Sequence, residues 1–248
     1  MVSGLSLVPG GGMVLGPSGV GDPGRAGGVE PVGQAIGERW RLPGADSPPT
    51  LAELFASSPR DGGWAGFLLA QLDPDRPLLW VQERMAILEG GRVHPPGMHF
   101  HDLIHVEARD SKAALWAMEE GLRCAAIGAV IGEIWGDPAS LDFTATRRLA
   151  VAAERHGVTA WLVRLGGRAN LSGARRRWRV ASAPSLVHPL NARAPGATVW
   201  DAELFRARGA APGRWVITHE REDSAAGGFH LVAAPGDRTL GEGGRRAG

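Results

Sequence analysis

Between residues 77 and 165 short apolar runs alternate with segments patterned as helices, and this alternation restricts the fold more than anything else in the chain. The runs "PLLWVQE" (77–83), "DLIHVEA" (102–108), "AVIGEIW" (129–135) and "TAWLVRL" (159–165) suit buried strands. A helix is predicted from Asp110 or Ser111, with Leu115, Met118, Leu122 and Ala125 on one face. Another spans 143–156, capped by Asp142 and ended by Gly157. Such spacing implies βαβ units with right-handed crossovers, hence an α/β fold with a mainly parallel sheet flanked by helices. After residue 175 strand follows strand, in "RRWRVAS", "AELFRAR", "RWVITHE" and "FHLVAAP", so antiparallel strands are expected at the C-terminal edge.

The organised region is read as 47–233, one domain. Residues 1–46 are crowded with glycine and proline and are expected to form a disordered arm, and 234–248 a flexible tail. Within the arm "GPSGVGDPGR" (16–25) has the flavour of a phosphate loop, but it lacks the terminal Lys-Ser/Thr and follows no apolar strand. "TLAELFA" (50–56) is ambiguous, because Thr50 and Glu53 match a helix capping box while the stretch is short and stops at Ser-Ser-Pro. "WAGFLLAQL" (64–72) reads as a helix closed by Pro74 and Pro77.

A net charge of +1 gives no global field toward nucleic acid or membrane, so any such affinity must come from a local patch. Lys112 is the one lysine among 26 arginines. The single Cys124 has no partner for a disulfide or a thiolate metal site, which suits a reducing compartment. No apolar run approaches the roughly 18 residues that span a bilayer, and no signal-peptide pattern opens the chain. A cytoplasmic protein without membrane association is expected.

A phosphate-gripping loop joins a strand to a helix, with backbone amides facing the phosphates and a lysine neutralising them. Only 51–70 offers that context, and there the loop reads "GGWAG": Gly62 and Gly63 are present, but Trp64 and Ala65 supply neither ammonium nor magnesium-binding hydroxyl. ATP hydrolysis is therefore expected to be weak or absent, with no cofactor, since Arg60 does not reproduce a compact point charge. Glu83 and Glu133 end strands at the carboxyl edge of the sheet, where open α/β folds place their sites. They are either a water-activating and metal-supporting pair or two ordinary solvated acids. His94, His99, His101 and His105 cluster in sequence, yet no cysteines accompany them and a metal is not expected.

The segment "RLGGRANLSGARRRWRV" (164–180) carries six arginines and no acid. It reads as a flexible loop running into a strand, with Arg175, Arg177 and Arg179 on one face and Trp178 and Val180 toward the other. Arg168, Arg175, Arg176, Arg177 and Arg179 are candidates for contact with nucleic-acid phosphates or with an acidic partner protein.

Taken in order, these segments resemble the RecA-like ATPase core from about residue 47 to 233, and in detail the ImuA group of RecA-related accessory proteins in bacterial error-prone DNA repair. "AELF" before the glycine loop resembles the strand into the phosphate loop. "LLWVQE" resembles the strand ending in the catalytic glutamate, matched by Glu83, and "GAVIGEI" the second acidic strand, with Glu133 where RecA has aspartate. "LVRLGGRANLSGARRRWRVASAPS" is similar to a strand, the second DNA-binding loop and the next strand; in "FRARGAAPGRWVITHE", Arg206 and Arg208 stand where RecA has intersubunit lysines. Features similar to ImuA are "HPPGM" (94–98), "ALWAMEEGLR" (114–123), "LDFTATRRL" (141–149) and "RWRVASAPS" (177–185). The resemblance implies a role in damage-induced translesion synthesis, as an adaptor between RecA, an ImuB-like Y-family-related protein and an error-prone replicative-type polymerase. The missing phosphate grip means that strand exchange and an ATP-driven filament cycle are not implied.

Overall fold

The computed structural model describes residues 39–40, 42–98, 100, 102–220 and 228–232. In chain order these form β1 (Arg39–Trp40), β2 (Leu51–Ala56), α1 (Gly63–Leu69), β3 (Leu78–Glu83), α2 (Arg84–Gly90), β4 (Leu103–Ala108), α3 (Ser111–Leu122), β5 (Ala129–Trp135), α4 (Phe143–His156) and β6 (Thr159–Leu165). β7 (Arg176–Ala183), β8 (Val187–His188), β9 (Asn191–Pro195), β10 (Val199–Ala207), β11 (Gly213–Glu220) and β12 (Gly228–Leu231) follow.

Ten of these strands make one sheet, in the order β1-β12-β11-β10-β7-β2-β6-β5-β3-β4. The pairs from β4 to β7 are parallel and those from β7 to β1 antiparallel, so β7 joins the two halves. The α/β class, the helix-flanked parallel sheet and the antiparallel C-terminal edge are thus as the sequence predicts.

Strand alternation divides the interior. Leu78 and Trp80 of β3, Ile131 of β5 and Trp178 of β7 face α1, where Phe67 meets Trp178, Trp200 and Phe229. Leu79 and Val81 of β3, Val130 of β5 and Leu162 of β6 face α3 and α4. Because both faces of the central strands are covered, the strands are mostly apolar, and the polar residues they carry, Glu53, Gln82, Glu83, Glu133 and Arg164, are buried with them. Gly132 in β5 leaves space for Met118 of α3: a Cβ there would stand 2.1 Å from the methionine sulfur.

The caps place the long helices where they were expected. Asp110 accepts from the Ala113 amide and Asp142 from the Ala145 amide, each at 2.7 Å, and Gly157 ends α4 at φ 68°. α3 stops at Leu122, so Ala125 and Cys124 lie past its end and are exposed.

Three expectations change. The ambiguous "TLAELFA" is the central strand β2, not a helix: the Thr50 hydroxyl donates to Glu154 at 3.0 Å and Glu53 points into a buried arginine pair, so neither residue caps anything. "DLIHVEA" forms the edge strand β4, half covered, with Ile104 51% exposed. Arg39–Trp40, placed in the arm on composition, pair with β12, and Leu42 is buried in the core. The rest of the proposed arm through residue 38, and the tail at 234–248, lie outside the described residues. No helix among the described residues is long and apolar enough to cross a membrane.

Candidate functional site

β2 leads through residues 57–62 into α1, which is the strand-loop-helix context of a phosphate grip. The first turn of that helix is already occupied by the protein's own anion. Asp61 accepts the Gly63 amide at 2.9 Å, the Ser182 amide at 2.8 Å, the Ser182 hydroxyl at 2.5 Å and the Ser57 hydroxyl at 2.9 Å. Partial burial pushes the Asp61 carboxyl up, but these bonds, led by Ser182, outweigh it and hold the group below the usual carboxylate range.

Gly62 precedes the helix with open space around it, whereas Gly63 sits so close to β7 that a Cβ would stand 2.3 Å from the Ser182 hydroxyl. Trp64 turns inward, 7% exposed, and packs against Trp80 with ring centroids 6.1 Å apart. The residue standing where the grip needs a cation therefore serves as an aromatic core residue.

Beneath this loop lies a cleft of about 360 Å³. Pro59, Arg60, Asp61 and Trp64 line one side, and Glu89, Arg92, Val93, His94 and Met98 the other. Trp80, Gln82 and Glu133 also line it. Glu133 is 3% exposed and accepts on Oε1 from both the Trp80 indole and Gln82 Nε2, the latter at 3.1 Å. Burial pushes its carboxyl up to about 7 against those two hydrogen bonds.

Gln82 uses its whole amide. Besides bonding Glu133, its nitrogen donates to Gly91 O at 3.1 Å, and its oxygen accepts from the Val93 amide at 3.0 Å and contacts His105 Nε2 at 2.9 Å. Burial, then Arg92, lower the His105 pKa, with Glu107 opposing. Gln82 thus ties the 91–93 wall of the cleft to Glu133. Sequence reasoning missed it because a neutral amide beside an acid carries no signal of its own.

That acid, Glu83, does not join the site. β3 and β5 pair Gln82 with Glu133, so alternation turns Glu83 to the opposite face, where it accepts the Trp135 amide at 3.0 Å. The expected pair of carboxylates is split by the sheet. Of the four histidines, His94 lines the cleft and His105 reaches Gln82, while His99 and His101 lie outside the described residues. Among the described residues no three or more His, Cys, Asp or Glu side chains converge as metal ligands.

Comparison with known sequences bears on this arrangement. Protein ImuA of Caulobacter vibrioides, in each of two strains, is 32% identical over 185 residues, covering 69% of this chain and 72% of the relative. This chain belongs to the ImuA family. No protein-family model matches it.

In this ImuA-family chain the arginine-rich segment is largely an internal device. Arg177 is buried and donates to Glu53 at 2.7 Å, and Arg176 is buried with Nη1 on Gly44 O at 2.6 Å. Burial lowers the Arg176 pKa. Arg164, which the sequence did not single out, is buried beside Glu53 and bonds Asp137. Arg164 and Arg177 lie over the Phe55 ring at 5.5 and 5.3 Å.

Arg175 pairs with Glu154 at 2.7 Å, and half-exposed Arg179 pairs with Glu203 at 3.0 Å while covering Phe205. The loop expected to be flexible is tied down: the Arg168 amide donates to the Asp137 carboxylate at 3.0 Å and the Gly173 amide to Thr146 Oγ1 at 2.9 Å. The exposed members of the candidate set are Arg168, Arg179, Arg206 and Arg208. Arg176 and Arg177 present no surface to a phosphate or a partner.

Proposed function

We propose that this ImuA-family protein is a non-catalytic adaptor with a RecA-like core, acting in SOS-induced translesion DNA synthesis and mutagenesis. Its partners in this reading are RecA, an ImuB-like protein and an error-prone DNA polymerase. The observation that carries the proposal is the state of the phosphate grip in a chain of ImuA ancestry. Asp61 takes up the amide at the start of α1 and Trp64 is packed into the core, so the loop offers a triphosphate an anion and an indole instead of amides and an ammonium.

The test is a pull-down of the purified full chain with the ImuB-like protein and RecA from the same organism, alongside ultraviolet-induced mutation frequency in a strain lacking the gene. Capture of the ImuB-like protein and a fall in induced mutation are expected. Absence of both would remove the reading.

The cleft holding Glu133 at the carboxyl edge of the sheet favours one alternative, a weak nucleotide-binding ATPase. Heat stabilisation by millimolar ATP that is lost in Glu133→Gln would support it, and no stabilisation would count against it.

A further inference from the structure

Glu133 is a buried acid that no cation among the described residues answers. Its hydrogen bonds from Trp80 and Gln82 are both neutral and both fall on Oε1, and Oε2 is not among the fully buried atoms left without a partner, in keeping with a carboxylate that lines the cleft. Burying an ionised carboxylate this way is costly, so the acid either keeps a proton or is answered by a positive group that comes to it. The surroundings are suited to one such group. Trp64, Trp80, Leu69, Val93, Met98 and Leu165 line the cleft with aromatic and aliphatic surface. Its volume is at the small end of ligand pockets, which run to roughly 300–1,000 Å³.

We propose that this cleft receives the side chain of an arginine carried by a partner protein segment, whose guanidinium pairs with Glu133 while its aliphatic stem lies along the apolar walls. Arginine fits better than lysine because its planar, weakly hydrated head tolerates desolvation and stacks on indole rings. Phosphate-bearing ligands fit worse: Arg60 and Arg92 line the cleft beside Asp61, Glu89 and Glu133, but Arg92 is held by Glu107 and the Gly63 amide is taken by Asp61. The proposal goes beyond the adaptor reading and does not depend on which proteins that reading names.

The bound state requires ionised Glu133, so affinity rises with pH as that carboxyl loses its proton. The other charged groups facing the cleft are Arg60 and Asp61 from the loop, and Glu89, Arg92 and His94 from the segment that begins with α2. His105 reaches Glu133 only through Gln82. Arg92 is engaged by Glu107 at 2.6 Å, which leaves Arg60 as the internal competitor to exclude.

The experiment uses the full chain labelled with ¹³C at glutamate side-chain carboxyls, titrated with N-acetyl-arginine-N-methylamide and with its uncharged citrulline counterpart. The Glu133 carboxyl should titrate near 7 alone and at least one pH unit lower with the arginine probe. Affinity should rise about tenfold or more between pH 5.5 and 7.5, a slope that survives His94→Gln. Glu133→Gln, checked for an intact melting transition, should weaken binding at least tenfold. Equal binding of the citrulline probe, a pH slope that disappears with His94→Gln, or no binding of either probe overturns the proposal. So does a Glu133 carboxyl that titrates in the ordinary range and rises in Arg60→Ala, because Arg60 would then fill the site. Binding of the free guanidinium ion with no gain for the blocked arginine would assign the site to a small cation and reject the protein segment.

Discussion

Arg177 Nε donates to Glu53 Oε2 at 2.7 Å, and the two side chains are 5% and 0% exposed. A buried pair of this kind is costly to break from one side, because the survivor keeps its charge without a counter-ion. Arg177→Ala is expected to destabilise the protein by about 3–5 kcal/mol in urea unfolding. The neighbouring Arg179→Ala, at a half-exposed pair, should cost less than about 1 kcal/mol. Equal losses would mean that the Glu53 cluster is not a structural centre.

Glu133 sets a pH dependence of stability. Its folded pKa of about 7 exceeds its ordinary value of 4.5, so the folded state holds the proton more tightly than the unfolded chain. The protonated form's contribution is complete below about 4.5, is lost as pH rises from there through 7, and stays lost above that. The loss amounts to roughly 3 kcal/mol. Glu133→Gln should remove this component, so the difference in unfolding free energy between variant and parent should grow in the variant's favour from pH 5 to pH 8. A constant difference would refute the assignment.

Restoring the phosphate-grip residues should not restore the grip. In Trp64→Lys with Ala65→Thr, Asp61 still holds the Gly63 amide, and loss of the buried Trp64 costs about 3–5 kcal/mol. Differential scanning fluorimetry is expected to show a lower Tm and no upward shift with millimolar Mg-ATP. A shift of several degrees would show that residues 64 and 65, and not Asp61, bar nucleotide.

Asp61→Ala removes the bonds joining the loop to α1 and to β7. A loss of about 1–2 kcal/mol is expected. Amide hydrogen exchange should quicken at Gly63 and Ser182 first, and unchanged exchange at both would argue against this tether.

DNA binding, where it occurs, falls to exposed guanidiniums. Replacing Arg168, Arg206 and Arg208 with alanine should flatten the dependence of log affinity on log salt by about 0.9 for each phosphate that is no longer neutralised. Melting temperature should stay within a few degrees. An unchanged slope in fluorescence anisotropy would exclude these three as phosphate ligands.

The sequence was most readable where local chemistry decides the outcome. α4 begins and ends at residues that announce themselves, because the Asp142 carboxylate caps its own helix and Gly157 alone adopts the left-handed turn without strain. Thr50 and Glu53 show the opposite case: their spacing is that of a cap, yet their partners are Glu154 and Arg177, far along the chain. The site failed to be legible for the same reason. That Gln82, and not Glu83, faces Glu133 depends on the register between β3 and β5, and no local pattern encodes register between parallel strands separated by another strand and two helices. Arg176 and Arg177 looked like surface because arginine runs usually are. Gly44 and Glu53 enclose them only once β7 has docked on β2.

That docking also orders events during synthesis. β2 leaves the ribosome early, but its two neighbours in the sheet are β6, at 159–165, and β7, at 176–183. Until both have emerged, an apolar strand with an unpaired acid at its centre must wait without partners, the situation in which nascent chains engage chaperones or aggregate. A chain cut short before residue 176 would retain α3, α4 and most of the parallel strands and still lack the strand that joins the two halves of the sheet. Premature termination there should yield a substrate for proteolysis, because β2 would lack one of its two neighbours in the sheet.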